Sequence, residues 1–482
     1  MMIYTSSLAL AGLAATAAAE TIHGALVFTR HGDRTAKHFG NWVLTPLGAQ
    51  QVFQVGTDYR SRYLSSSSPQ RIRGISEFEY VPAQVWASAP DSPVLLATAN
   101  SLLQALYPPL GDVKPTLSAQ DLANGSSVES PLTGYQYVTL HGVSEDSPET
   151  IWIKGDDDCP AIQAASADFK ASTEYLDRLV STRDFYQSLY PLVSDLYPSA
   201  EDLSYDSAYE IFDVINVMKI HNASSPIQDV TDDQLLQLRT LADSAEFGLN
   251  FNTSQPARSI HAQTFAASVL SHLNQTVTSA DQNPKLTVLT GSYDTFLAFF
   301  GLAQLTDVSP DFYGLPDYAS TMAFEVFTPG DDDSDLDVSA LQVRYLFRNG
   351  TESGSGLRAF PLFGTGKTTL PWSDFVDAMQ RVGVSSAGEW CRLCQSEAVF
   401  CAAYTDDNGA ATAADAGETV GRGSWIAVLV VMAVAIAGNL VWAVMWLVRG
   451  RRVKEERKAA AVATKVGSLG SNSIRSYGKE SV

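Results

Sequence analysis

The sequence predicts an α/β fold: a parallel β-sheet covered on both faces by helices, with a helical insertion and one C-terminal transmembrane helix. Three observations predict it. Apolar runs of strand length are followed, after short loops, by capped helical patterns near residues 24–63, 83–109 and 285–305; repeated strand–helix units build parallel sheets. The stretch of roughly 110–280 lacks that rhythm and carries amphipathic helical segments joined by polar loops. Residues 425–448, "WIAVLVVMAVAIAGNLVWAVMWLV", carry no charge, and at about 1.5 Å per residue they are long enough to cross a bilayer core of about 30 Å.

Along the chain, residues 1–19 are uncharged, apolar in the middle and end in Ala17, Ala18 and Ala19, the pattern of a cleaved secretory signal peptide. "GALVFT" at 24–29 is an apolar, β-rich run suited to a buried parallel strand. After a polar loop, Thr45 is placed to cap a helix with Pro46 at its first position. Val52, Val55, Gly56, Tyr59 and Tyr63 then recur at helical spacing. "AQVWAS" reads as a second strand, and Ser92–Pro93 opens the helix that ends at "ALYPP". "KLTVLTGSYDTFLAFFGLAQL" again runs strand, turn, helix. "MAFEVF" and "LQVRYLF" alternate as the arms of a hairpin. Residues 20–401 form the body and 402–424, rich in Ala, Gly, Thr and Asp, a flexible stalk.

The net charge of −21 is unevenly placed. Residues 449–482 carry +6 and the remainder −27. "RGRR" directly after the apolar span puts the C-terminus in the cytosol. The body therefore faces the cell exterior or a vacuole-like lumen, as a single-pass type I protein of the secretory pathway. A body this acidic excludes nucleic acid as a partner. Four cysteines (Cys159, Cys391, Cys394 and Cys401) suit two disulfides in such a compartment, in any of three pairings. Cys391 and Cys394 lack the second CxxC or nearby histidine that a zinc site needs, and no metal or cofactor is expected. Five Asn-x-Ser/Thr sequons, at Asn124, Asn222, Asn252, Asn274 and Asn349, agree with a glycosylated exterior.

The chemistry concentrates in "LVFTRHGDRTAKHFG", residues 26–40. Loops at the C-terminal ends of parallel strands are where α/β sheets hold ligands. Arg30 and Arg34 are permanently charged planar forks suited to a phosphate dianion. Their charge lowers the pKa of an imidazole between them, keeping His31 neutral and nucleophilic.

"RHGDRT", followed by "TPLGAQQ", resembles the histidine acid phosphatase branch of the histidine phosphatase (phosphoglycerate mutase-like) superfamily. The likeness extends to "ALYPP", to the strand–turn–helix at 285–303 and to the late hairpin, over residues 22–400. It implies a three-layer α/β/α sandwich with a mostly parallel central sheet, a helical cap within about 110–280, and metal-free hydrolysis of phosphomonoesters through a phosphohistidine. It further implies Arg30 and Arg34 as phosphate clamps, His31 as nucleophile and Asp294 as the acid that protonates the leaving oxygen.

Two positions depart from the family pattern. No Arg or Lys lies between Tyr80 and Tyr107, where another phosphate-binding arginine is expected, and Asp91 stands in that stretch. Tyr293, not histidine, precedes Asp294. Arg258 and His261, at the start of a predicted helix, are candidates to restore the missing charge. These residues support a membrane-anchored acid phosphatase-like hydrolase acting on a small phosphate ester. The alternative is a catalytically impaired member that binds an anionic ligand at the cell surface. A structural glycoprotein using the fold alone would have no need of two arginines beside one histidine.

Overall fold

Strand β1 (Glu20–Arg30) is buried along most of its length because it has a strand on each edge and helices on each face. The computed structural model describes residues 20–278, 284–330, 336–352 and 354–404, within one compact unit, Met1–Asp406. The expected signal peptide, most of the stalk, the membrane span at 425–448 and the basic tail lie outside the described residues. Among the described residues no helix is long and apolar enough to cross a membrane.

The elements that follow are α1 (Pro46–Tyr63), β2 (Val85–Pro90), α2 (Pro93–Leu106) and the short edge strand β3 (His141–Val143). The insertion then supplies a single turn, α3 (Ile151–Lys154), and α4 (Pro160–Lys170), α5 (Thr173–Ser181), α6 (Ala208–His221) and α7 (Asp232–Asn250). The chain returns through α8 (Ile260–Thr278), β4 (Leu286–Gly291) and α9 (Tyr293–Leu302) to β5 (Thr321–Pro329), β6 (Gln342–Arg348), β7 (Arg358–Phe360) and β8 (Thr369–Pro371). Two helices close it, α10 (Trp372–Val382) and α11 (Ala387–Cys394).

The sheet runs β8-β6-β5-β1-β4-β2-β3, with β7 paired to β6. It is mixed rather than mostly parallel. The pairs β1·β4, β4·β2 and β2·β3 are parallel, whereas β1·β5, β5·β6, β6·β7 and β6·β8 are antiparallel. The expected hairpin at 321–348 exists, but it joins the free edge of β1. That pairing also lengthens β1 to Glu20, opposite Pro329. Alternate side chains of β1 divide the core: Leu26 and Phe28 pack with Phe265 of α8 and Phe296 of α9, Ala25 and Val27 with Val52 and Tyr59 of α1. A strand buried on both faces needs apolar residues at every position, hence the unbroken run "GALVF".

Helix α1 follows its sequence signals. Thr45 Oγ1 accepts from Gly48 N at 3.0 Å, Pro46 opens the helix, and Val52, Val55, Gly56, Tyr59 and Tyr63 are its buried face together with Gly48. Ser92 precedes Pro93 of α2 as expected but makes no side-chain capping bond. The helical cap is narrower than 110–280. Residues 110–143 hold only short turns, a two-stranded hairpin (Ala119–Asp121 with Ser127–Glu129) and β3, and α8 packs on β1 as part of the sandwich. The disulfides are Cys159–Cys394 and Cys391–Cys401. The CxxC cysteines, one turn apart on α11, thus bond outward rather than to each other.

Candidate active site

The four parallel strands end on one edge of the sheet and their loops meet there. The loop after β1 brings His31, that after β2 Asp91 and Ser92, that after β3 Ser144 and Glu145, and that after β4 Ser292, Tyr293 and Asp294. With Lys154 of α3 these residues line one cavity of about 560 Å³. The motif loop is drawn onto α1 by two glycines. A Cβ on Gly32 would collide with the backbone of Gly48, and one on Gly48 with the backbone of Asp33. The Gly of "RHGDR" and the Gly of "TPLG" therefore form one backbone contact.

His31 is 5 % exposed. Its Nδ1 lies 2.9 Å from the Gly32 carbonyl oxygen. A proton on Nδ1 donated to that carbonyl leaves the Nε2 lone pair available to the cavity. Burial, then the charges of Arg30 and Arg34, hold the imidazole well below the usual histidine pKa, so it stays neutral in mildly acidic water.

The two arginines are more constrained than their positions in the motif suggest. Arg30 does not line the cavity. It lies between the rings of Tyr318 and Tyr293, 4.8 and 5.3 Å from their centroids, and donates from Nη1 to the Pro316 carbonyl. Its buried Nε–H has no partner among the described residues. Arg34 lines the cavity, but the cap holds its fork. Nη2 donates to Asp213 Oδ1 at 2.8 Å and to Tyr209 Oη at 3.2 Å; Nη1 donates to Asp213 Oδ2 at 3.1 Å and to the Thr35 carbonyl at 2.8 Å. Asp33 is fully buried, and its Oδ1 meets His221 Nε2 at 2.6 Å and the Thr45 hydroxyl. The cap helix α6 thus grips the motif loop through both Asp213 and His221.

Asp294 lines the same cavity as His31, with Oδ1 accepting from Thr295 N at 2.9 Å. Tyr293 Oη donates to Glu246 Oε2 at 2.8 Å, so its hydroxyl is directed to the cap rather than to a phosphate site. Neither Arg258 nor His261 restores the missing charge there, and neither is a surface residue. Arg258 is buried, stacks 4.8 Å from the Phe169 ring, and donates to the Ala165 and Gly248 carbonyls beside a different and larger cavity. His261 lies beneath the site, with Nε2 3.1 Å from the Asp294 carbonyl oxygen.

Two lysines not singled out by the sequence supply cations instead. Lys37 Nζ sits 5.0–5.3 Å from the ring centroids of Tyr209, Trp42 and Tyr293, and burial lowers its pKa. Lys154 Nζ lies 3.3 Å from both Asp156 and Asp157 and 3.7 Å from Asp294 Oδ2. Burial alone would lower its pKa, yet the surrounding carboxylates raise it well above the usual lysine value. Burial and the neighbouring Asp156 push Asp157 up to about 6. Lys37 stands three residues past Arg34, close enough in sequence to count with the motif. Lys154 carried no signal, because its place depends on the path of the insertion.

The fold and cavity together define a class: an α/β protein whose pocket, at the carboxyl ends of its parallel strands, holds a neutral histidine among cations with a carboxylate nearby. The chain belongs to the histidine phosphatase superfamily (branch 2), whose profile matches residues 37–348. The match begins beyond Arg34, so the family assignment and the Arg30–Arg34 motif are separate observations. Among solved structures, the Hafnia alvei phytase aligns with a TM-score of 0.51 at 12% identity, covering 77% of this chain and 98% of its own. The Klebsiella sp. ASR1 phytase aligns with a TM-score of 0.51 at 14% identity, covering 76% and 97%. At such identities the likeness is one of fold. No curated protein matches the sequence.

Proposed function

We propose that this protein is a phosphomonoesterase that works through His31. The observation that carries the reading is the bond geometry of His31: Nδ1 tied to the Gly32 carbonyl, Nε2 without a hydrogen-bond partner among the described residues, in a cavity shared with Asp294. In the first step Nε2 attacks phosphorus and the bond to the ester oxygen breaks. A protonated Asp294 gives its proton to that oxygen as the alcohol leaves. In the second step water attacks the phosphohistidine, the P–N bond breaks, and Asp294 takes the water's proton. Arg34 Nε–H, Lys37 and the field of Arg30 oppose the charge on the transferring group. The test is hydrolysis of p-nitrophenyl phosphate by the purified chain at pH 5–6. His31→Ala must abolish it, and an alkaline quench with labelled substrate must trap acid-labile phosphate on the wild type. No activity above the His31→Ala background would overturn the reading.

A second reading, ligand binding without turnover, is favoured by one observation: Asp213 engages the fork of Arg34 end-on. Calorimetry with vanadate distinguishes the two, since binding by a chain with no turnover supports the second reading alone. We also propose that residues 425–448 anchor the protein with its body outside the cytosol. The apolar span with its basic flank supports this, as do two disulfides that leave no free cysteine. Release from membranes by alkaline carbonate would overturn it.

A further inference from the structure

The charge of the cavity changes along the sheet edge, from cationic at β1 to acidic at β2, β3 and α3. On the β1 side stand His31, Arg34 and Lys37, with Arg30 behind. The ends of β2, β3 and α3 bring Asp91, Glu145, Asp156 and Asp157 beside Lys154, and Asp294, the proton donor of the proposed reaction, lies between the two ends, near both Lys37 and Lys154. The four carboxylates at β2, β3 and α3 come from three separate segments of the chain and line the cavity that holds the nucleophile. Lys154 bridges Asp294 to Asp156 and Asp157 at 3.3–3.7 Å. The aspartate pair therefore lies beside the group that meets the leaving oxygen, where the first atoms of the alcohol must pass. Asp156 Oδ1 has no hydrogen-bond partner among the described residues. A polyanionic alcohol would be repelled along this wall, a neutral one would gain nothing from it, and a cationic one would complete its charge.

We infer that the preferred substrates are phosphomonoesters of amino alcohols, with the phosphate on the His31 side and the ammonium or quaternary ammonium group against Asp156 and Asp157. The inference rests on the phosphatase reading and adds the class of alcohol. Phosphate and cation on one small molecule match the two ends of the cavity in sign and order. A cavity of about 560 Å³ accommodates such an ester whole.

The test uses the full chain and two readouts. First, kcat/KM is compared at pH 7, where Asp157 is ionised, for phosphoethanolamine, phosphocholine and glycerol 2-phosphate, with inositol hexakisphosphate as the polyanion. Second, the same four compounds are titrated calorimetrically into the His31→Ala chain, which reports binding without turnover. The amine esters are expected to exceed glycerol 2-phosphate by about tenfold or more in both readouts, with inositol hexakisphosphate weakest. Asp156→Asn with Asp157→Asn should remove most of the preference. Should that pair fail to fold, the exposed Glu145→Gln and Asp91→Asn each lower the ratio. Equal treatment of amine and neutral esters, or a preference for the polyanion, overturns the inference and leaves the phosphatase reading standing. If no ester is bound or turned over, both fall.

Discussion

Asp213 of the cap meets Arg34 of the motif end-on, Oδ1 to Nη2 at 2.8 Å and Oδ2 to Nη1 at 3.1 Å, with both side chains almost fully buried. The pair joins residues 179 positions apart and fixes where the cap sits over the strand ends. It also neutralises a charge that the motif alone would assign to phosphate.

Breaking that pair on one side should be costly. Asp213→Ala leaves a buried guanidinium uncompensated and is expected to destabilise the fold by about 3–5 kcal/mol. Replacing both partners by apolar residues, Arg34→Met with Asp213→Leu, should recover most of that loss. Urea unfolding of the three chains checks the ordering.

Arg30 should act on the rate through the imidazole. It lowers the pKa of His31, second only to burial. With Arg30→Met, protonation of His31 moves to higher pH, and only the neutral ring attacks phosphorus. The acid limb of the kcat/KM profile should therefore shift upward towards pH 6.5, beyond any overall loss of rate. An unshifted limb would separate Arg30 from His31 electrostatically.

Stability should fall on acidification for a reason outside the site. His23 and His272 are held down to about 4 in the folded chain, by burial in both cases, with Arg73 and Lys285 adding to the effect at His23. Unfolded chains take up these protons near pH 6.5, the folded chain only near 4, so proton uptake favours unfolding across that window. Asp157, raised to about 6, opposes this from a more exposed position. Thermal scans between pH 7 and 4 should show His272→Gln and His23→Gln losing less stability than the wild type.

The two disulfides should differ in weight. Cys159–Cys394 closes 235 residues and Cys391–Cys401 closes 10. Loop-closure entropy grows with loop length. Cys159→Ser with Cys394→Ser should therefore cost about 2–5 kcal/mol and exceed the cost of removing the shorter bridge, by denaturant unfolding under oxidising conditions.

Sequence alone determined what rests on neighbouring residues. The Thr45 cap with Pro46, the face Val52–Val55–Tyr59–Tyr63, the strand runs at β1 and β4 and the position of His31 at a strand end all follow from periodicity, capping chemistry and motif spacing. Tertiary structure alone decided what depends on the path of the chain. A buried strand reads the same whether its neighbour is parallel or antiparallel, so the sheet is mixed where the sequence predicts a mostly parallel one, although its hairpin is legible. Arg258 and His261 are near the site in sequence pattern but turn to other partners. Lys154, Asp156 and Asp157 sit at no recognisable spacing, yet they line the cavity of His31 because β3 and α3 end on the same edge as β1. Charge acts through space over a few ångströms, and local sequence does not report which distant segments will share that space.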